Sequence, residues 1–363
     1  MVEIARVALE RKLSSIASVL SNTSKKSPVL GLVQGGQLRI YQDGDMPIWN
    51  VEDIETDENF VFSASISKLK DIVGGFKTSS VNLIPDGKGS IAIKSGRSQV
   101  KIPHVEGIYD DIPDSPPIGA SCVTDSNFLS LLESSKTFVS RTFDQVSLTY
   151  SYIGSTDDEF VISGMNGFCL FNATVPFKGD KLPDLVIPVE FTEAVARLLV
   201  GSDVINVGLS ENERHVVMSN DSMTVYSPRI QQQYPDMVSK LRQSSGVKLC
   251  EMDKKETLDQ LKLALQTTER DLIGIEPTVD GKGIQLSVPR SDIEAELTIE
   301  DVTIVQPFDC IYFQLPFLIQ CVNTFPSGRI SMERVPEFND AIRISSDGNT
   351  ATTTLRPYLP PES

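Results

Sequence analysis

Few residues in this chain of 363 could do covalent or metal chemistry, and their spacing argues against it. There are two histidines and five cysteines. His104 follows a proline, and His215 sits in an alternating, strand-like run; neither lies in an arrangement with Ser, Cys or Asp that would activate a nucleophile. Cys122, Cys169, Cys250, Cys310 and Cys321 are odd in number and widely spaced, with no C-x-x-C pair. That pattern fits buried free thiols better than a disulfide framework or a zinc site. The triplets Asp86-Gly87-Lys88 and Asp280-Gly281-Lys282 superficially suggest phosphate loops. A phosphate loop leads from a strand into a helix, whereas each of these joins two strand-like runs, so both read as hairpin turns. The acidic runs 53–58, 109–111 and 157–159 lack calcium-loop spacing and read as solvated loops. Trp49 and the scattered Phe and Tyr residues show no interleaving with Lys or Arg that would build a base-stacking platform. The expectation is a protein that is not an enzyme and has no cofactor and no metal.

The elements around these residues are clearer than the chemistry. Leu9, Leu13, Ile16 and Leu20 recur at helical spacing, as do Ile66, Leu69, Val73 and Phe76. So do Phe128, Leu132, Ser135 and Val139; Phe191, Val195 and Leu198; Leu258, Leu261 and Leu265; and Phe317, Cys321 and Phe325. These are six amphipathic helices in three pairs, each with one buried stripe. Between them lie short β-branched runs bounded by Gly35-Gly36, Asp43-Gly44, Asp86-Gly87, Asp280-Gly281 and Asp347-Gly348. The intervals are too short for the crossovers that parallel strands need, so the sheets are antiparallel.

The order of elements repeats. The strand-then-helix segment 60–76 has counterparts at 185–202 and 310–328, and the strands that follow open at Val81, Ile205 and Ile330, a period of about 124 residues. A period this long and regular indicates a triplicated domain. The domains are expected at 1–115, 119–241 and 246–363, joined by turn-rich or polar linkers at 113–119 and 239–246. The fold class is therefore α+β, in three repeated domains.

Charge is distributed unevenly. The net charge is −16, which argues against simple electrostatic attraction to a polyanion. The six helical segments nevertheless sum to +5, leaving −21 for the remainder, so the helices form a comparatively basic layer. No run approaches the roughly 18 apolar residues of a membrane span, and the charged N-terminal stretch does not resemble a signal peptide, so a cytoplasmic location without membrane contact is expected.

On the segment Ser95–Ile102 followed by Gly107–Pro113, the sequence resembles the end of the first domain of the bacterial DNA polymerase III beta subunit, the sliding clamp. Segments 27–31 with 36–40 resemble its first-domain strands, Ile187-Pro188 and 233–236 resemble its second domain, and 355–358 its C-terminal segment. The resemblance implies the clamp, or processivity, fold: a head-to-tail homodimer closed into a ring, with helices lining the hole and antiparallel sheets outside. It implies double-stranded DNA, a DNA polymerase and a clamp loader as partners. A DNA-binding or structural module that does not form a ring is the alternative.

The resemblance also implies site residues. Cations facing DNA phosphates would be Arg6, Arg11, Lys12, Lys25, Lys26, Lys68, Lys70, Lys77, Lys136, Arg141, Arg197, Lys262 and Arg329. The dimer interface would join the strand at Val100 and Ile102 to the strand at Ile273 and Ile275 of the other subunit. A pocket for partner peptides would use Met165, Gly167, Phe168, Leu170, Val247, Pro357 and Tyr358. Here the chain departs from the family: Phe168-Cys169 replace a polar and basic pair, and the chain continues through Leu359 to Ser363. Both departures are consistent with a private set of partners, as in a bacteriophage replication system.

Overall fold

The computed structural model describes residues 1–19, 28–42, 46–86, 90–103, 115–140, 148–268, 271–288 and 297–358. Seven α-helices lie among the described residues: α1 (Arg6–Val19), α2 (Ile66–Gly75), α3 (Asn127–Lys136), α4 (Val189–Leu198), α5 (Met237–Gln243), α6 (Lys254–Thr267) and α7 (Leu315–Asn323). All the strand pairings described are antiparallel, as the short connections require.

The chain forms two compact units: residues 1–130, 176–185 and 190–230, and residues 131–175, 186–189 and 231–363. The segment 119–241, expected as one domain, contributes to both.

In the first unit, α1 buries Leu9, Leu13, Ile16 and Ala17, and α2 buries Ile66, Leu69 and Val73. A four-stranded sheet runs in the order Val2–Ala5, Ser80–Pro85, Ile91–Ser95 and Ser98–Ile102, with Ile93 opposite Val100. The last of these strands has no second neighbour among the described residues. A second sheet pairs Pro28–Gln34 with Gln37–Gln42, which pairs with Ile48–Asp53. Strand Ile48–Asp53 then joins Met223–Pro228, with Ile48 opposite Val225. Thus a strand of the first repeat pairs directly with one of the second. The joint is filled by Leu30, Tyr41, Trp49, Val217 and Tyr226. Trp49 meets Tyr226 edge-on at 4.7 Å, and the Tyr226 hydroxyl donates to the Pro116 carbonyl at 3.0 Å.

In the second unit the same kind of joint recurs: Cys169–Asn172 pair with Thr352–Leu355. That strand continues a sheet through Ala341–Ser346 and Arg329–Val335 to Val247–Asp253. A separate sheet runs Leu297–Ile299, Ile284–Ser287, Leu272–Pro277 and Ile311–Gln314. Helix α6 is capped at its N-terminus by Asp253, whose carboxylate accepts from the Glu256 N–H at 2.8 Å. The Glu256 carboxylate in turn accepts from the N–H groups of Glu300 and Asp301 at 2.8 and 2.9 Å, tying the helix start to the neighbouring turn.

The helical stripes fall close to expectation, with informative shifts. Helix α6 buries Thr257, Leu258, Leu261 and Ala264 and leaves Leu265 40% exposed. Helix α7 buries Leu315, Leu318, Cys321 and Val322, whereas Phe325 is buried beyond its end and Phe317 is only half-buried. Helix α5 was not expected: its residues fall where a polar linker was read. No helix among the described residues is long and apolar enough to cross a membrane.

Candidate functional site

The second unit contains an apolar cleft of about 360 Å³. Its first wall is the turn that precedes strand Cys169–Gly179. The Asn166 side-chain oxygen accepts from the N–H groups of Phe168 and Cys169, both at 3.0 Å, and Gly167 takes a left-handed φ of 90° that other residues rarely adopt. This turn puts Met165 and Leu170 into the cleft wall and leaves Phe168 44% exposed at its mouth. Phe168 is held from both sides: its ring stacks on Phe317 with centroids 5.2 Å apart, and its carbonyl accepts from the Arg356 N–H at 2.9 Å.

The second wall comes from α5. Leu241 lines the cleft, and beneath it Leu148, Met165, Leu170, Val238, Leu241 and Val335 form one buried cluster with Tyr234 and Phe338 against it. Arg343 fixes the helix: one of its nitrogens donates to the Leu241 and Ser244 carbonyls at 2.6 and 3.0 Å, at the helix end where a cation is favoured. Tyr234 stacks on Tyr152 at 4.6 Å, and burial pushes its phenol far above the usual range. The remaining wall is the short 3₁₀ turn Pro336–Phe338, the left-handed Asn339, and Thr354, Leu355 and Arg356.

Of the expected pocket residues, Met165, Gly167, Phe168 and Leu170 come together in this cleft. Val247, Pro357 and Tyr358 do not line it. Val247 begins a strand opposite Arg334, and Tyr358 turns away to hydrogen-bond with strand Ile311–Gln314, its N–H donating to the Tyr312 carbonyl at 2.7 Å. Leu241, Phe338, Ala341 and Leu355 take their places. The only sequence signal for Leu241 is its three-residue spacing from Val238.

The expected interface strands differ from one another. Val100 is 37% exposed on the strand Ser98–Ile102, which has one edge without a strand neighbour among the described residues, and Ile102 is buried. Ile273 and Ile275, by contrast, are buried on a central strand whose two sides are occupied by Ile284–Ser287 and Ile311–Gln314. That strand has no edge to offer. The sheet's available edge is Leu297–Ile299, which pairs only with Ile284–Ser287 among the described residues.

The expected DNA-facing cations also divide. Arg11 on α1, Lys68 on α2, Lys77 just beyond α2, Arg197 on α4 and Lys262 on α6 are exposed, and Lys70 is half-buried on α2. Arg197 also donates to the Ser18 carbonyl at 3.0 Å. Others are engaged locally: Arg6 with Glu10 and the Thr78 carbonyl, Lys12 with Glu52 at 2.5 Å, and Lys136 with Glu133 at 3.5 Å. Arg329 is not on a helix at all; it opens a strand and pairs with Asp301 at 2.6 Å and Glu251 at 3.8 Å. A carboxylate within contact distance neutralises the charge that a phosphate would otherwise meet. Lys25, Lys26 and Arg141 lie outside the described residues.

The residues considered for chemistry stay dispersed. His215 is half-buried against Tyr226, and His104 lies outside the described residues. The Asp280 turn is closed by Thr278 and the Lys282 N–H at 2.7 and 3.1 Å, as a hairpin turn should be. Burial, with a smaller contribution from a neighbouring carboxylate, pushes the thiols of Cys122 and Cys250 up to about 12, away from reactivity. Among the described residues no three His, Cys, Asp or Glu side chains gather as a metal site.

Antiparallel sheets joined edge to edge and packed by helices give this chain the fold of the DNA polymerase sliding clamps. A sliding clamp from Pseudomonas aeruginosa matches with a TM-score of 0.82 at 17% identity over 99% of both chains. The DNA polymerase III beta subunit of Thermotoga maritima matches with a TM-score of 0.81 at 16% identity, again over 99% of both chains. A P. aeruginosa sliding clamp bound to griselimycin matches with a TM-score of 0.82 at 17% identity and the same coverage. No protein-family model and no curated protein sequence matches the chain.

Proposed function

We propose that this chain is a sliding clamp: a homodimer closed into a ring around duplex DNA, tethering a DNA polymerase and other replication proteins through the Phe168–Leu241 cleft. The observation that carries the reading is the match of the clamp fold along 99% of the chain. Three domains per subunit fit the repeat of helix pairs and sheets. The reading assigns no catalytic role to any residue.

The joints support closure into a ring. Repeats one and two meet through a strand pair at Ile48–Val225, and repeats two and three through one at Cys169–Leu355. A third joint of the same kind would pair Ser98–Ile102 of one subunit with Leu297–Ile299 of another, each a terminal strand of its four-stranded sheet among the described residues. Such a contact is heterologous, and closing it removes both exposed edges. A ring also reconciles the charge of −16 with DNA, because topology replaces affinity and a few cations at the bore suffice. Arg11, Lys68, Lys77, Arg197 and Lys262 are the residues best placed to contact phosphates.

The test is topological. After assembly by a clamp loader, the protein should stay on nicked circular DNA through gel filtration and leave when the circle is cut. Retention that is equal on both forms and falls steeply with salt would reject the ring in favour of ordinary electrostatic binding.

A further inference from the structure

Beyond Leu241 and Thr354 lies a second, smaller recess of about 110 Å³ that shares those two residues with the cleft. Its chemistry is different. It is lined by Asn172 and Thr174, by Thr350 and Thr352 of the adjoining segment, and by Arg242 and Arg343. Leu170 of the cleft and Asn172 and Thr174 of the recess follow one face of one strand, about 6.6 Å per step.

The donors in this recess exceed the acceptors. Asn172 uses its side-chain oxygen to accept from Ser163, which leaves both amide hydrogens to give. The Thr350 hydroxyl donates to the Thr174 carbonyl at 2.7 Å, and the hydroxyls of Thr174 and Thr352 have no partner among the described residues. Arg343 is held by two carbonyls and has Glu333 at 3.6 Å. Arg242, exposed on α5, forms no ion pair among the described residues. Hydroxyl, amide and guanidinium donors around a small recess suit an anion with two acceptor oxygens.

We propose that this recess receives the carboxylate of an Asp or Glu side chain in a docked partner peptide, while apolar side chains of the same peptide fill the larger cleft. This rests on the docking reading above. On a chain of net charge −16 an acidic peptide is repelled over most of the surface, so one cationic recess beside an apolar cleft sets the peptide's register. Strand spacing places the acidic residue about two to four positions from the apolar anchor.

The experiment measures fluorescence anisotropy of labelled, end-blocked decapeptides titrated with the full chain. Each peptide carries an adjacent pair of leucines and one Asp placed two, three or four residues to either side; its twin has Asn instead. In one register the Asp peptide should bind about fivefold or more tighter than its twin at low salt, and the difference should shrink at high salt. Arg242→Gln and Thr352→Val should remove that difference and leave the Asn twin's affinity unchanged. If Asp and Asn twins bind alike in every register, or if Arg242→Gln weakens both equally, the recess has no such role although the cleft still docks peptides. If no peptide binds, or if binding survives Met165→Arg in the cleft, the docking reading and this proposal fall together.

Discussion

Phe168 and Phe317 stack with their rings 5.2 Å apart and only 17° from parallel, at the mouth of the cleft. One comes from a turn fixed by Asn166, the other from a half-buried position on α7, so the pair ties the turn at 165–170 to that helix. Because Phe168 is 44% exposed and Phe171 is fully buried, the two phenylalanines separate function from stability. Phe168→Ala should leave the melting temperature nearly unchanged and reduce affinity for the cognate polymerase about tenfold, the size of one lost aromatic contact. Phe171→Ala, which removes a ring stacked on Phe138, should cost about 3–5 kcal/mol in urea unfolding. Comparable loss of stability in both variants would show that Phe168 is a core residue.

Backbone proximity makes a second contrast. A Cβ on Gly164 would sit 2.1 Å from the Ser135 carbonyl oxygen at the end of α3, whereas one on Gly75, in the last turn of α2, would meet nothing within 4 Å. Gly164→Ala should therefore destabilise by about 1–3 kcal/mol, since a backbone carbonyl cannot move aside as a side chain can. Gly75→Ala should stabilise by about 0.5–1 kcal/mol by restricting the unfolded chain and favouring the helix. Chemical denaturation of the two variants in parallel with the parent chain checks both signs.

How much of this was legible in the sequence depends on whether a signal is local. The six amphipathic helices and the antiparallel hairpins declared themselves because each buries a face at a fixed period. Helix α5 did not: among its described side chains only Val238 and Leu241 are buried, too few to establish a period. The family resemblance put Ile273 and Ile275 on an interface strand, but the residues of a buried strand carry nothing about which neighbours flank it. Likewise Lys12 and Arg329 looked free because their partners are remote in sequence: Glu52 lies 40 residues from Lys12, and Asp301 and Glu251 lie 28 and 78 residues from Arg329. The cleft combines Met165, Gly167, Phe168 and Leu170 with 241, 338, 341 and 355, a convergence that no spacing rule contains; the first four were legible only through the family resemblance.

The acidic and basic groups that hold Arg329 predict a pH dependence. The hydrogen bond from Lys248 holds the Glu251 carboxyl below its ordinary value of 4.5, with further help from the charges of Lys248 and Arg329. A carboxyl depressed in the folded state contributes stability that is present above its unfolded pKa and is lost as pH falls through the folded value. The thermal stability of the parent chain should therefore exceed that of Glu251→Gln at neutral pH, and the difference should close below about pH 4. The groups are partly exposed to solvent, so the difference will be modest and smaller at high salt. A gap that persists unchanged at pH 3 would mean that Glu251 acts through packing and not through charge.

The free edges give the most direct prediction about assembly. Strand Ser98–Ile102 exposes residues 98–101 and, among the described residues, pairs only with Ile91–Ser95, leaving its other edge without a strand neighbour there. Leaving such an edge open in a folded monomer invites uncontrolled pairing; matching it to Leu297–Ile299 of a second subunit satisfies both edges. A charge placed within that pairing should oppose it, since Val100 sits mid-strand at 37% exposure and its side chain is not part of the monomer's closed core. Val100→Glu should raise the dimer dissociation constant at least about tenfold, equivalent to about 1.4 kcal/mol, while circular dichroism and the melting of the monomer stay unchanged. Ile273→Val, on the flanked strand, should leave the dissociation constant alone and cost about 0.5–1.5 kcal/mol of fold stability instead. Light scattering across a dilution series reads the assembly. If Val100→Glu remains dimeric at nanomolar concentration while Ile273→Val falls apart, the interface runs through the buried strand after all and the edge pairing is wrong.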